Sequence, residues 1–446
     1  MFSRNISGKT KFNIIWFGQS ISLLGTAMTR FALLIWIFGD AGNATSVALL
    51  GFFSILPFVL MSPFAGSIID RFDRKRVMIL ADLGAGLMTI TILILFLTNN
   101  LEVYYLYIIQ AFSGMFEAFQ KPAYSASITM LISKNDYARA SGMRSFSSSL
   151  SKVAAPMIAG FLLVNIGLKG VMIFDIATFC IAVLTLFLIN IPEPKTSGKS
   201  EIIGFWNEWL TGFRYIKNRP GLFKLLMIML SINLFAALTY FSILPAMILA
   251  RTGNNKIILA SVQSALGAGG VVGSLLLSIW GGPQKQIYSI LFGAAASFLL
   301  GDLLFALGTT KYVWIAAAFI SSFFIPFIMG AEHSIWQAKV KPDIQGRVFS
   351  IKGMLQQITM PVGYLLAGPL ADYIFEPAMT GNTILSDIFG GLVGTGKGSG
   401  MALMFLLTCF IGLLISLSGY LVKDVRNVEK DIPDSDVAVE SSVSKI

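Results

Sequence analysis

Long apolar runs separated by short polar segments make up almost the whole chain. A helix rises 1.5 Å per residue, so about 20 residues cross about 30 Å of hydrocarbon. The pattern therefore predicts an all-α membrane protein of about twelve transmembrane helices. The runs lie near 12–38, 47–69, 77–98, 103–131, 138–165, 170–190, 222–250, 257–280, 287–307, 312–338, 346–375 and 400–422.

Composition excludes most classes of soluble protein. Of 446 residues, 55% are hydrophobic and 13% are charged, whereas about a quarter of the residues in soluble domains are charged. The chain has no nucleotide-binding loop of the Gly-x4-Gly-Lys-Ser/Thr type, and no nucleophile with a base or set of metal ligands. We therefore expect neither an enzyme nor a bound cofactor or metal.

Lys and Arg lie mainly in alternate loops, on the side that holds both termini. Because cytoplasmic loops retain basic residues during membrane insertion, both termini are predicted to be cytoplasmic. The same distribution accounts for the net charge of +10, so the charge does not indicate a nucleic-acid partner. The expected partners are the lipid bilayer and a small solute.

A polar interruption at 191–221 divides the runs into six and six. The predicted domains are an N-terminal six-helix bundle at 1–190, a cytoplasmic linker at 191–221, a C-terminal six-helix bundle at 222–426 and a disordered cytoplasmic tail at 427–446. Apolar linker residues recur at spacings of 4, 3, 4 and 3, which predicts an amphipathic helix on the membrane surface. These residues are Ile202, Trp206, Trp209, Phe213 and Ile216.

Short matches suggest that the second half repeats the first. At a shift of 210 residues, Thr-x-Phe at 29–31 falls on Thr-x-Phe at 239–241, and at a shift of 207 several residues of 127–136 fall on 334–343. Together with the division into six and six, the matches predict two halves of like orientation with a solute site between them near mid-membrane.

The segment after the second run carries a specific motif, with a small residue for close helix packing, an acid and a basic cluster. It reads Gly66-Ser-Ile-Ile-Asp70-Arg71-Phe-Asp73-Arg74-Lys75-Arg76. This motif resembles the signature loop of the major facilitator superfamily, Gly-x-x-x-Asp-Arg-x-Gly-Arg-Lys. Asp73 replaces the second glycine, which is similar to the macrolide-efflux and enterobactin-exporter branch of the drug:proton antiporters.

The resemblance implies a fold of two pseudo-symmetric six-helix bundles around a central cavity, in the cytoplasmic membrane of a bacterium. It also implies that the loop is a conformational latch. Asp82 in the third run is an expected partner, because an acid so near a basic loop needs pairing, whereas the corresponding loop at 273–285 has lost its charges. The predicted latch residues are Gly66, Asp70, Arg71, Arg74 and Asp82.

The fifth run bears on the direction of transport. Drug:proton antiporters of the superfamily carry Gly-x8-Gly-x3-Gly-Pro-x2-Gly-Gly in this helix. Here every matching position is small and the proline is in place, so the resemblance favours export over import. The matching residues are Gly142, Ser151, Ala155, Pro156, Ala159 and Gly160.

Arg30, Glu117, Lys121 and Lys152 lie near the middle of predicted spans. A charge that faces lipid there costs about 2.5–3.5 kcal/mol, so each should face a partner or an aqueous cavity. Glu117 and Lys121 are four residues apart and can pair, which leaves Arg30 and Lys152 without an acid in this half. Two hypotheses remain open: a functional cluster, in which Glu117 carries a proton and the cations attract the solute, or a salt-bridged scaffold.

The other ionisable residues of the spans lie nearer their ends. Glu332 and His333 are a candidate proton relay, with a structural role at the helix end as the alternative. Asp175, Asp302 and Asp372 are predicted to be interfacial and structural. Antiporters of the superfamily often hold an Arg in the fourth span, and 103–131 contains none.

These observations predict a monomeric secondary exporter, driven by proton antiport through alternating access. The solute is expected to be a small amphipathic compound, such as a drug, siderophore or peptide product, and a net positive cluster favours an anionic one. Antibiotic resistance is an expected consequence. A lipid carrier, a nutrient importer and a non-transporting sensor or scaffold are the alternatives.

Overall fold

The computed structural model describes residues 7–69, 72–133, 136–191, 205–341 and 344–432, and those residues form helices and connecting turns without a strand. The first six helices are α1 (Gly8–Ala41), α2 (Ala44–Ile69), α3 (Arg74–Leu97), α4 (Val103–Leu131), α5 (Tyr137–Asn165) and α6 (Gly167–Leu188). A shorter helix, α7 (Phe205–Lys217), follows.

The rest of the chain continues in the same way. Its long helices are α8 (Pro220–Arg251), α9 (Lys256–Trp280), α10 (Gln286–Leu307), α11 (Lys311–Lys339), α12 (Gln345–Thr380) and α14 (Ser399–Leu421). Its short helices are α13 (Ile384–Val393), α15 (Lys423–Arg426) and α16 (Val428–Asp431).

Eleven helices of the described chain are long and apolar enough to cross a membrane. The remaining predicted span is α4, the fourth along the chain, which has 29 residues and is also long enough. It is more polar than the others because it contains Gln110, Glu117, Gln120 and Lys121. The prediction of an all-α membrane protein with about twelve spans is confirmed.

The chain forms two compact units. The first unit comprises Met1–Ser200 with Ile248–Ser264, and the second comprises Glu201–Met247 with Ala265–Ile446. The end of α8 and the first turns of α9 therefore group with α1–α6. Within the first unit, Ser264 on α9 donates a hydrogen bond from Oγ to the carbonyl of Val153 on α5, at 2.7 Å.

Close helix packing in each unit depends on glycine. In the first unit, a Cβ at Gly114 on α4 would lie 2.0 Å from the carbonyl oxygen of Ser54 on α2. In the second, a Cβ at Gly273 on α9 would lie 2.2 Å from the carbonyl oxygen of Phe323 on α11. Small residues bring helix backbones together in this way when lipid gives no hydrophobic driving force between helices.

Three helices of the second unit contain π-helical turns: α8 at Ala237–Ile243, α10 at Ser297–Asp302 and α12 at Leu370–Phe375. Such a turn inserts one residue into an α-helix and changes the direction of the side chains beside it. Helix α13 was not predicted from the sequence. It begins with a capping box in which Thr383 and Ser386 bond each other's backbone N–H groups, at 3.3 and 3.1 Å.

The linker contains the helix α7, and the described side chains of its apolar face pack on protein. Ile216 is fully buried, and a Cβ at Gly212 would lie 2.4 Å from Ile351 on α12. The Tyr215 hydroxyl donates to the carbonyl of Lys339, at 3.2 Å. Ile202 lies outside the described residues, and the side chains of Trp206 and Trp209 are not described.

The first residues of the predicted disordered tail have defined contacts. Val428 is fully buried, and the Glu429 carboxylate accepts from the backbone N–H groups of Gln286 and Ile287 at the start of α10, at 3.1 and 3.0 Å. Lys339 donates to the carbonyl of Ile432 at 2.6 Å. These contacts give hydrogen-bond partners to the N–H groups at the start of α10 and to the carbonyl of the last described residue. The prediction is therefore wrong for 428–432, and residues 433–446 lie outside the described part.

Candidate functional site

Three of the four predicted mid-span residues form an ion-paired triad in the first unit. Lys121 donates to Oε1 of Glu117 at 2.7 Å, one helical turn apart on α4. Arg30 on α1 bonds Oε2 of the same carboxylate through Nη2. Both oxygens of Glu117 therefore face a cation, and the Arg30 bond ties α1 to α4.

The triad corrects one part of the sequence interpretation. The pairing of Glu117 with Lys121 was predicted, but Arg30 was expected to lack an acid and is in fact bonded to Glu117. Spacing along one helix reveals an i,i+4 pair, whereas a bond between α1 and α4 depends on how the two helices pack.

Lys152 on α5 is exposed and does not join the triad. Within the described residues, it has no carboxylate within 4.0 Å and no hydrogen bond to the other three. With three cations and one anion, the four residues carry a net charge of +2.

The triad is open on one side. The exposed fractions of the side chains are 43% for Arg30, 57% for Lys121 and 26% for Glu117, and Glu117 is near the middle of the 29-residue α4. Because a charge at that depth is costly against lipid, this face of the first unit is expected to line an aqueous cavity. The Lys121 ammonium also lies 4.9 Å from the centre of the Phe58 ring, an arrangement in which the ring face attracts the cation.

A row of amides lies beside the triad. Gln120 on α4 donates to Gln19 on α1, and Gln19 donates to Oδ2 of Asp82 on α3, each at 2.7 Å. Sequence analysis missed both glutamines, although an amide within an apolar run is itself a signal, because an amide needs a partner in lipid.

Asp82 was predicted to pair with the basic loop. In the part of the chain that the structure describes, Asp82 accepts from the Gln19 amide and makes no ion pair with Arg74. Asp70 and Arg71 lie outside the described residues, and the side-chain surroundings of Gly66 are not described.

Arg74, a predicted latch residue, and Asp73 in the same motif have contacts with a structural role. Arg74 donates from Nη1 to the carbonyl of Ala126 near the end of α4, at 3.0 Å. Asp73, the departure from the superfamily motif, caps α3: its side chain accepts from the backbone N–H of Lys75 at 2.9 Å. A carboxylate that caps a helix N-terminus is stabilising, which gives Asp73 a local reason to stand where glycine is usual.

The small residues of α5 lie mostly on a packed face. Ser151 and Ala155 are buried, and a Cβ at Gly160 would lie 2.6 Å from Cβ of Ala260 on α9. Pro156 is inside the helix. Gly142 differs, because no heavy atom lies within 4 Å of a Cβ added there. The packing face thus covers the C-terminal half of the motif.

Glu332 and His333 have separate partners. Glu332 on α11 is 1% exposed; its Oε1 lies 2.9 Å from Nζ of Lys352 and accepts from Gln356 at 2.7 Å, both on α12. The His333 ring bonds Gln337 at 2.9 Å. The structure therefore does not bring the two relay candidates together.

Lys352 was missed as a partner for Glu332. Lys352 falls within the predicted span 346–375, and in the structure α12 begins at Gln345 and places it two turns inside the helix. Its side chain is 11% exposed, and its ammonium lies 5.2 Å from the centre of the Trp336 ring. The spacing of Lys352 and Gln356 by one turn on the same helix face was the available signal.

Asp175 and Asp302, two of the three acids predicted near the outer span ends, are buried within the protein. Asp175 on α6 is 2% exposed and accepts from the hydroxyls of Thr26 and Thr89, at 3.3 and 3.2 Å. Asp302 on α10 is fully buried and accepts from Tyr240. Distance along a span does not reveal which side of the helix faces the bundle.

The comparisons with known proteins agree with this architecture. A family model described as Major Facilitator Superfamily matches residues 15–364. Macrolide efflux protein A of Streptococcus pyogenes is 27% identical over 370 residues, which cover 82% of this chain and 90% of that protein. The multidrug efflux pump Tap of Mycolicibacterium fortuitum is 21% identical, with 80% of this chain and 88% of that protein covered.

A solved structure is also similar. The bacterial homologue of the human lysosomal transporter Spinster, in an inward-facing and unoccupied conformation, has a TM-score of 0.67 and 16% sequence identity to this chain. The match covers 94% of this chain and 98% of that one. At this identity the likeness shows the fold alone.

Proposed function

Since the chain belongs to the major facilitator superfamily, we propose that it is a secondary exporter of a small amphipathic compound, driven by proton antiport through alternating access. It is a membrane-embedded transporter of small solutes rather than an enzyme, and its relatives include efflux proteins of bacteria. The proposal adds the direction, the solute class and the coupling ion.

The double pairing of Glu117 is the observation that carries the proton part of the proposal. When Glu117 is ionised, it holds Arg30 and Lys121, and thereby joins α1 to α4. A proton on Glu117 would weaken both ion pairs and release that joint. We propose that the solute binds while the bond between Arg30 and Glu117 is formed. The proton then favours the state without this bond and the solute the state with it. Antiport requires that the two ligands favour different states in this way.

Two solute classes follow from two different observations. The relatives named for macrolide efflux favour a macrolide. The net charge of +2 at Arg30, Glu117, Lys121 and Lys152 favours an anionic or zwitterionic amphiphile, because Lys152 has no carboxylate partner among the described residues. The proposed site is the partly exposed face of Arg30, Glu117 and Lys121, and alternating access is the proposed mechanism of transport.

Orientation and location are part of the proposal. The distribution of Lys and Arg supports a bacterial cytoplasmic membrane with both termini in the cytoplasm. Export is supported by the efflux relatives and by the small residues and Pro156 of α5. We propose a monomer as the working unit.

The experiment that tests the proposal is uphill transport driven by an imposed pH gradient. Purified protein in proteoliposomes would be given erythromycin as the macrolide, carboxyfluorescein as the anion and an uncharged detergent-like dye. We expect at least one probe to accumulate only when the proton gradient drives protons in the direction opposite to the probe. This accumulation should be lost on addition of a protonophore. Probe accumulation that does not depend on the pH gradient, or equal accumulation in liposomes without protein, would contradict proton-driven export.

A further inference from the structure

A carboxyl group in the core of the second unit has no role in the triad. This group belongs to Asp302 on α10, whose Oδ2 lies 2.8 Å from Oγ1 of Thr408 on α14. On the other side, the Tyr240 hydroxyl of α8 donates to Oδ1. Asp302 is fully buried, and Thr408 is 5% exposed.

The contacts of this cluster match a protonated Asp302. Oγ1 of Thr408 lies within hydrogen-bond distance of both Oδ2 of Asp302, at 2.8 Å, and the carbonyl oxygen of Phe405, at 3.0 Å. A hydroxyl has one hydrogen, so Thr408 cannot donate to both. If Asp302 carries a proton on Oδ2, it donates to Thr408, and Thr408 donates to Phe405. The neutral acid therefore uses every contact once.

The surroundings supply no positive charge to an ionised Asp302. Within the described residues, no Lys, Arg or His lies in ion-pair distance of it, and the titratable groups that face it are Tyr240 on α8 and Cys409 on α14. Lys311, at the start of α11, is exposed over the Tyr312 ring. Burial of a carboxylate without a cation or a full set of donors is costly, and such a group takes up a proton instead.

Two π-helical turns form part of the backbone around the cluster. Tyr240 and Asp302 both lie on π-helical turns, and the loss or movement of such a turn rotates the following side chains by about 100° per residue. Gly301 permits the present approach, since a Cβ there would lie 2.9 Å from the Tyr240 hydroxyl and 2.5 Å from Cβ of Ser321. A rearrangement of either turn would separate Asp302 from Tyr240.

We infer that Asp302 is a second proton-binding site of the transporter. In the arrangement described here, Asp302 holds a proton on Oδ2, taken from water as hydronium. When the π-helical turns of α8 and α10 rearrange, the bond to Tyr240 is lost, and water accepts the proton. This inference rests on the proposed proton antiport and adds a site in the second unit to Glu117 in the first.

Infrared spectroscopy tests the protonation itself. Difference spectra would be recorded on a pH jump with the full chain in lipid nanodiscs, for the wild type, Asp302→Asn and the matched control Asp387→Asn, an exposed acid of the same unit. We expect a C=O band of a protonated carboxyl that is present in the wild type and the control and absent from Asp302→Asn. The band should move in Tyr240→Phe, which keeps the ring but removes the donor. A spectrum of Asp302→Asn with every such band intact overturns the inference.

Transport separates this inference from the proposed function. Proton movement per solute would be measured in proteoliposomes with the probe that the wild type transports. We expect Asp302→Asn, which keeps the size of the side chain, to move fewer protons per solute than the wild type and Asp387→Asn. If the wild type moves protons and Asp302→Asn moves as many, the inference fails and the antiport stands. If the wild type moves none, both fail.

Discussion

At the scale of single residues, the two carboxylates that form ion pairs within the spans, Glu117 and Glu332, differ in burial. In the first unit, Glu117 and its cations are partly exposed. In the second, Glu332 and Lys352 are 1% and 11% exposed and form a buried ion pair. A buried ion pair is weak support for stability as a whole, but removal of one partner leaves a charge in the core without compensation. The two pairs should therefore respond differently to substitution.

A double-mutant cycle tests the buried pair. We expect Glu332→Gln and Lys352→Met each to lower the free energy of unfolding by about 3–5 kcal/mol, since each strands one charge. The double variant should lose less than the sum of the two, by about 0.5–3 kcal/mol. The measurement is SDS-induced unfolding of the purified protein.

The control for that cycle is the pair of Lys224 and Asp424 in the same unit, whose side chains are 47% and 39% exposed. Exposed pairs contribute about 0–1 kcal/mol, so Lys224→Met with Asp424→Asn should show little coupling. Equal coupling in the two cycles would contradict the burial of Glu332 and Lys352.

In the triad, Arg30 and Lys121 should differ in their effect on stability. Arg30 joins α1 to α4, whereas Lys121 bonds Glu117 within α4, and a pair within one helix contributes about 0.2–0.5 kcal/mol. We expect Arg30→Met to lower the midpoint of thermal unfolding in detergent more than Lys121→Met does. A larger effect from Lys121→Met would mean that the bond between the helices does not form.

At the scale of elements, the ends of helices are held by residues far away in sequence. The N-terminus of α10 is capped by Glu429 from the tail, and α7 packs on α12 through Gly212. Apolar runs predict where spans begin and end, but they do not reveal such contacts. The π-helical turns are equally hidden, because one inserted residue leaves an apolar run apolar.

The cap of α10 gives a prediction for the tail. Glu429→Ala should lower the free energy of unfolding by about 0.5–2 kcal/mol, the range for loss of a helix cap. Asp431→Ala, an exposed acid on the same short helix, is the matched control and should be neutral. Thermal unfolding in detergent measures both, and equal effects would show that Glu429 does not act as a cap.

At the scale of the whole molecule, the sequence predicts the class and the spans, whereas most contacts of the candidate site are visible only in the structure. The class, the spans and the superfamily follow from apolar runs and from the motif at 66–76. Of the candidate site, only the pair of Glu117 and Lys121 followed from spacing along one helix. The bond of Arg30, the burial of Asp302 and the partner of Glu332 depend on which helix faces share a bundle, and that arrangement is not encoded in any one segment.

The repeat links the two carboxyl sites. At the shift of 210 residues that aligns 29–31 with 239–241, Arg30 corresponds to Tyr240. Arg30 bonds Glu117 in the first unit, and Tyr240 bonds Asp302 in the second. Residues 30 and 240, which this shift aligns, thus each bond a carboxyl group in their own unit. Arg30 does so as a cation and Tyr240 as a neutral donor.

The orientation of the molecule is open to a direct test. We expect a fluorescent protein fused after Ile446 to fluoresce in a bacterial host, and alkaline phosphatase at the same position to be inactive, because the basic loops lie on the side of both termini. The reverse result would place the C-terminus outside the cytoplasm and contradict the proposed topology.

Proton movement on addition of solute is the direct test of proton antiport through Glu117. The pH inside proteoliposomes would be followed after addition of the transported probe, for the wild type, Glu117→Gln and Glu102→Gln, which changes an exposed acid at the start of the same helix. We expect solute-induced proton movement in the wild type and in Glu102→Gln, and its loss in Glu117→Gln with the probe still bound. Proton movement that is unchanged in Glu117→Gln would contradict a proton-carrying role for Glu117 and leave the triad as a scaffold.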